Sequence, residues 1–437
     1  MAWDKGMVAD IPAPLDLSQE SEFDSPDESI VRQSSETRPE IRLLVACART
    51  EIDAETADAI RYLLKKAIDW AYLFKQANRH FVAPLLSFNL LTHFPDAIPE
   101  ELRRSVRIGL QAHARHNLFM AQELIRLIAK LESNGIPVLP FKGPVLTALA
   151  YKNLSLRQFG DLDILVRKRD VTRARKQLMA EGYGAGTLTW FQKRIPTFST
   201  RKDLVLVNAS TNVRIELHWR LSGKYFSFPV EAKHFWNRLD VMNLAGTFVR
   251  TLPPQEVLLY LCMHGSRHSW ERLGWICDVA EMVRANSSWN WSEVMREASE
   301  LGNERNLALG LYLANDLLGA RIHPAVLDKV RSDPMIRSLA AQVQALLFQD
   351  VQPSLDIGYL HDYHLKVKER MTDRVRLRWH YYRRYLQLVL RPTAQDRTGL
   401  SNRAHLSFLR YVTRPFRLIG LYGAGLLARA FHQIRKL

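Results

Sequence analysis

Cysteine is scarce in this sequence: there are three among 437 residues, Cys47, Cys262 and Cys277, an odd number with no CxxC spacing. Such a set suggests neither a disulfide framework nor a cysteine zinc site, and each is read as a small buried apolar residue. Long apolar runs are absent as well, since no stretch approaches the roughly 20 uninterrupted apolar residues that a spanning helix requires. The opening residues, MAWDKGMVADIPAP, lack the basic-then-apolar layout of a secretory signal. The HExxH zinc signature is missing too. These absences lead to the expectation of a cytoplasmic protein.

What is present suffices for packed units. Hydrophobic residues make up 47% and aromatics 10%, which excludes a chain disordered throughout and allows two or three units. The net charge of +16 is unevenly spread. Residues 1–40 hold ten acidic and three basic side chains among Ser and Pro, too little apolar surface to offset ordering entropy, so a disordered acidic arm is expected. From Lys366 onward seventeen Lys and Arg face three acidic residues, so anionic partners are expected there.

Between these ends the period changes. Residues 41–130 repeat apolar positions every three or four residues, and the long amphipathic stretch at 101–133 stops at Gly135, which tolerates a left-handed cap. IPVLPF then reads as a buried strand, PVLTALAYKN as a helix that Pro144 can begin, GDLDILV as a strand, and RDVTRARKQLMAEGYG as a helix capped by Gly182. DLVLVN and VRIELHW follow as a hairpin turning at 209–212, and helices alone are predicted from Pro253. The fold class is therefore α+β: a small mixed-sheet core at 131–245, a preceding helical region at 41–130, a helical region packing on the core at 246–365, and a basic helical tail at 366–437.

The chemistry is expected in the core. Asp161 and Asp163, two apart on a strand, leave one face, while Leu162, Ile164 and Val166 leave the other. Paired carboxylates repel unless a cation lies between them, the logic of magnesium sites that also take phosphates. In VRIELHWRL the polar face carries Arg214, Glu216, His218 and Arg220, so Glu216 is the candidate third ligand. Three convergent carboxylates can hold two divalent ions about 4 Å apart, one acidifying an acceptor hydroxyl and the other holding a triphosphate. Just upstream, Gly143 lets the backbone approach a phosphate at a helix start, and Lys142 is read either as a phosphate contact or as a solvated strand end.

Two other groups stand out. His264 and His268 share a helix face with Asp278 further along; the spacing suits zinc but lacks an evident third ligand, so these histidines either reach the cleft or pack beside it. His218 is read as orienting Glu216, touching the acceptor, or resting satisfied in the interior. Trp219 and Trp275 are assigned to the core.

The stretch FKGPVLTALAYKNLSLRQFGDLDILV, with the later EGY, IELHW, LLYLCMHGSRHSW and WICDVAEMV, resembles the bacterial family of uncharacterised nucleotidyltransferases within the DNA polymerase beta superfamily. The resemblance spans about residues 105–285. It implies magnesium-dependent transfer of a nucleotidyl group from a nucleoside triphosphate to a hydroxyl, with manganese as the alternative ion. It carries Asp161, Asp163 and Glu216 over as catalytic metal ligands and Lys142 with Gly143 as the phosphate-side turn, with Arg157 a candidate triphosphate contact and His218 and His264 candidate substrate residues. The sequence departs from the wider superfamily in having Lys-Gly where Gly-Ser is usual, eighteen positions rather than about ten before the acids. The acceptor is read as a small molecule, a peptide or a protein. A fold kept for nucleotide binding without turnover, or for an accessory role at a membrane, is the rival. The basic end, with its apolar segment at 418–428, suits an anionic membrane surface, contact with the acidic arm or, as the weakest of the three, nucleic acid.

Overall fold

A computed structural model of the chain describes residues 38–185, 203–223, 235–286, 288–349 and 357–390. The acidic arm up to residue 37, the 418–428 segment and the rest of the tail beyond 390 lie outside the described residues. Four short helices come first: α1 (Pro39–Cys47), α2 (Ala54–Leu64), α3 (Trp70–Arg79) and α4 (Ala83–His93). Asp53 and Asp69 cap α2 and α3 by accepting from the amides of Thr56 and Tyr72, which satisfies donors that a helix start leaves open. The amphipathic stretch forms α5 (Glu100–Ser133), and Gly135 beyond it takes φ +66°.

The core sheet holds five strands in the order β1-β2-β5-β4-β3: β1 (Val138–Pro140), β2 (Leu162–Val166), β3 (Tyr183–Ala185), β4 (Asp203–Asn208) and β5 (Arg214–His218). β2 and β5 run parallel and every other pair is antiparallel, so the sheet is mixed. A parallel neighbour needs a crossover, supplied in part by α7 (Val171–Ala180). Pro144–Leu146 forms only a single helical turn, α6, and then widens into a π-turn at Thr147–Tyr151, in place of the uniform short helix expected there.

Alternation along β2 and β5 decides the two faces. Leu162, Ile164, Val166, Ile215 and Leu217 join Leu124, Leu127 and Leu131 of α5 and Leu178 of α7 in one apolar cluster. The other face carries Asp163 and Glu216 at one end, while Leu165, Leu139 and Phe141 enter the larger helical core. A hairpin not anticipated from the sequence, β6 (Asp240–Leu244) with β7 (Thr247–Thr251), turns through Ala245 and Gly246, both at positive φ. From Pro253 onward every described element is helical: α8 (Pro254–Arg267), α9 (Leu273–Ala285), α10 (Trp291–Leu301), α11 (Glu304–Leu318), α12 (Pro324–Ser332), α13 (Pro334–Leu347), α14 (Ile357–Val367) and α15 (Met371–Leu390). Part of the basic segment serves this bundle, for Arg370 donates to the carbonyls of Ser299 and Glu300 at the end of α10. Among the described residues no helix is long and apolar enough to cross a membrane.

Candidate active site

A cavity of about 470 Å³ opens over the acidic end of the sheet. Lys142, Gly143, Arg157, Asp161, Asp163, Glu216 and His264 all line it, although they come from four separated stretches of sequence. The β2–β5 register sets Asp163 directly beside Glu216, because a parallel pair with matched alternation brings the two polar faces to the same side. His218, two residues along β5, is fully buried behind them. Its Nε2 lies 3.0 Å from Asp163 Oδ1 and 3.5 Å from Glu216 Oε2, and its Nδ1 lies 3.9 Å from Asp203.

Among the described residues, Asp163, Glu216 and His218 are placed to hold a metal ion, their ligand atoms all falling within 4.8 Å of one another. Asp161 is outside that group. β2 begins at Leu162, so Asp161 sits in the bend before it rather than on the alternating strand as expected. It still belongs to the same electrostatic unit. Burial, then the charges of Asp163 and Glu216, push its carboxyl up to about 6 even though Lys142 and Arg214 pull it down.

Basic side chains answer these acids. Lys142 Nζ lies 3.8 Å from Asp163 and 5.5 Å from the Tyr260 ring centroid. Burial pulls its pKa down, but Asp163, Tyr260 and Asp161 outweigh burial and hold the ammonium above lysine's ordinary range. Arg214 pairs with Glu216 at 3.1 Å. Gly143 adopts φ +53°, ψ −126°, and a Cβ there would stand 3.1 Å from the Asp161 carbonyl oxygen, so glycine is required for the Lys142 turn to pack under the acidic bend.

Arg157 does not reach toward substrate with its whole fork. Its Nε and Nη2 donate to Asp278 of α9 at 2.7 and 2.9 Å, and Tyr151 donates to the same carboxylate at 2.8 Å, all in a largely buried setting. From the other side, Asn117 of α5 donates to the carbonyls of Leu154 and Arg157. The loop leading to Asp161 is thus pinned between α5 and α9. This also corrects the zinc alternative: Asp278 is engaged by Arg157 and Tyr151, and His264 and His268 form no metal-ligating group with it among the described residues.

His264 and His268 instead build an aromatic wall with Trp275, with ring centroids 4.8 to 5.5 Å apart. Trp275, assigned to the core from sequence, lines the cavity, whereas Trp219 is buried in the core as expected. Tyr151 and Asp203 are site residues that sequence reasoning passed over, and Asp278 was weighed only beside the histidines, not as the partner of Arg157. Arg157 was visible between the glycine turn and the acids, but the partner that binds both it and Tyr151 lies more than 120 residues away.

The sequence model of a family described as uncharacterised nucleotidyltransferase matches residues 66–319. No curated protein matches the chain. Among solved structures, the crystal structure of an antigenic nucleotidyltransferase-like protein from Paracoccidioides brasiliensis matches with 16% identity and a TM-score of 0.30, covering 49% of this chain and 96% of that one.

Proposed function

This chain belongs to the uncharacterised nucleotidyltransferase family, and we propose that it transfers a nucleotidyl group from a nucleoside triphosphate to a hydroxyl of a small-molecule, peptide or protein acceptor, with magnesium. The observation that carries this reading is the pairing of Asp163 with Glu216 across β2 and β5, beside Asp161 and inside a cavity. Two carboxylates and an imidazole within 4.8 Å are a donor set fit for a divalent cation, and oxygen-rich sites favour magnesium or manganese. The raised Asp161 carboxyl marks an excess of negative charge that such a cation would relieve. Bound there, magnesium supplies Lewis-acid stabilisation of the phosphoryl oxygens and lowers the pKa of an acceptor hydroxyl.

The chain's own groups have distinct tasks. Asp163, Glu216 and His218 would hold the ion, and Asp161 completes the acidic cluster beside them. Lys142 brings a permanent positive charge to the same spot and neutralises charge that develops on the phosphate in the transition state. Gly143 sets the close approach of that lysine turn. Arg157, clamped to Asp278, positions the loop that presents Asp161.

The test is incubation of the protein with magnesium and each α-³²P-labelled nucleoside triphosphate, together with a cell extract as acceptor pool. Transfer of label to an acceptor, with pyrophosphate released and both lost in Asp163→Asn, is the expected result. Label that never leaves the triphosphate under any of the four conditions would sink the catalytic reading.

A further inference from the structure

The ring wall of the cavity rests on a strained piece of backbone. Ser269 and Trp270, in the short turn between α8 and α9, are consecutive non-glycine residues with φ of +50° and +53°. Left-handed conformations of this kind persist only where the surroundings over-determine them, and they cluster where a site must be held ready. Trp270 provides the hold: it is fully buried, and its ring fills the space that Gly265 leaves, where a Cβ would stand 2.3 Å from the indole, while Gly310 also packs close to it. The turn thereby fixes His268 on one side and Trp275 on the other. At the start of α9, the Gly274 amide donates to the His80 carbonyl at 2.9 Å, and its Cα faces that carbonyl too closely for a side chain.

Beside Gly274 stands Phe81, also left-handed at φ +61°, 37% exposed, lining the same cavity and covered by the Arg272 guanidinium at 3.9 Å from its ring centroid. Trp275 packs against the larger core while also lining the cavity, unlike the fully enclosed Trp270. Trp275 is partly exposed to the cavity, its indole 5.0 Å from the His268 ring and 5.5 Å from His264. The ring series continues inward, since His264 stacks on Tyr260 at 5.8 Å and Tyr260 carries Lys142 over its face. The series therefore runs from the ammonium beside the carboxylates out to Trp275.

On the reading that the cavity takes a nucleoside triphosphate, its two ends call for different parts of that molecule. Phosphates belong with Lys142 and with the divalent cation that the acids would hold. The remaining wall offers π-faces, which recognise a planar ring by stacking. We propose that Trp275, held by the His268–Trp270 turn, is the stacking platform for the nucleobase, with His268 packed against it. Recognition through a π-face accepts any base, so the site is expected to take several nucleoside triphosphates.

The test uses tryptophan emission of the full chain titrated with magnesium and ATP, GTP, CTP or UTP, with magnesium tripolyphosphate as the baseless probe and calorimetry run in parallel. The nucleotides are expected to quench emission and tripolyphosphate is not. Trp275→Phe should still bind nucleotide by calorimetry while losing the quench. Trp275→Ala should weaken nucleotide binding on the order of ten-fold and leave tripolyphosphate unchanged. Nucleotide binding by calorimetry with the same emission change in wild type and Trp275→Phe would overturn the stacking proposal and leave the nucleotidyltransferase reading standing. Absence of calorimetric binding for every nucleotide would overturn both.

Discussion

The Arg157–Asp278 pair gives the sharpest check on how the acidic loop is held. Both side chains are largely withdrawn from solvent, at 12% and 4% exposure, and the contact is a two-pronged fork with Tyr151 as third partner. Removing one member leaves the other as a buried charge. Arg157→Met strands the Asp278 carboxylate with Tyr151 alone, and Asp278→Leu strands the guanidinium, so each single substitution should cost about 3–5 kcal/mol of stability. Replacing both removes the desolvation cost together with the attraction, so Arg157→Met/Asp278→Leu should lie within about 1–2 kcal/mol of the wild type. The two single effects then fail to add by several kcal/mol. Urea unfolding of the four proteins measures this, and calorimetry with magnesium ATP reads the site in the same samples. If Arg157 acts as a clamp, nucleotide affinity recovers in the double variant along with stability. Additive single effects would refute the clamp, and a double variant that is stable yet blind to nucleotide would return Arg157 to the role of triphosphate ligand.

Glu256 on α8 is fully buried with no hydrogen-bond partner at either carboxylate oxygen; burial, then the charge of Glu297, push it up to about 8 from an ordinary 4.5, against a pull from Arg238. Its folded pKa lies above its unfolded one, so its contribution is intact below pH 4.5 and is lost as pH rises through about 8, at about 1.4 kcal/mol per pH unit between those limits. Glu256→Gln should flatten the fall in urea-unfolding stability between pH 5.5 and 7.5, and parallel profiles for variant and wild type would show the carboxyl to be unperturbed. Gly143→Ala places a Cβ 3.1 Å from the Asp161 carbonyl in a backbone conformation that L residues avoid, so it should lose about 1–3 kcal/mol of stability and weaken magnesium nucleotide binding. Wild-type unfolding and titration curves for that variant would remove the glycine turn from the account.

Much of the sheet was legible because strand alternation is a local signal. Leu162, Ile164 and Val166 against Asp163, and Ile215 and Leu217 against Glu216, announce two half-acidic strands, and the structure pairs them in the register that joins the acids. The helical surroundings followed from three- and four-residue spacing, and Gly135 stops α5 through the positive φ that glycine permits. Signals that depend on distant partners were not legible. Nothing near Arg157 reveals Asp278, and nothing near Trp275 reveals that Gly274 must press against His80 and turn the indole toward the cavity. His218 was ambiguous for the same reason, because only the β2–β5 pairing brings its Nε2 to Asp163. The β6–β7 hairpin did leave a trace, Ala-Gly between two alternating segments, though most of its side chains face solvent and the alternation of apolar residues is weak. The π-turn at Thr147–Tyr151 left none, since its composition suits an ordinary helix.

Isothermal titration of magnesium with each nucleoside triphosphate into the protein and into Asp161→Asn/Asp163→Asn asks whether the acids around β2 and β5 form a metal-dependent nucleotide site. Nucleotide binding that requires magnesium and disappears in the double variant, while the variant stays folded, is the expected result. Binding of equal strength in both proteins, or in neither, would contradict it.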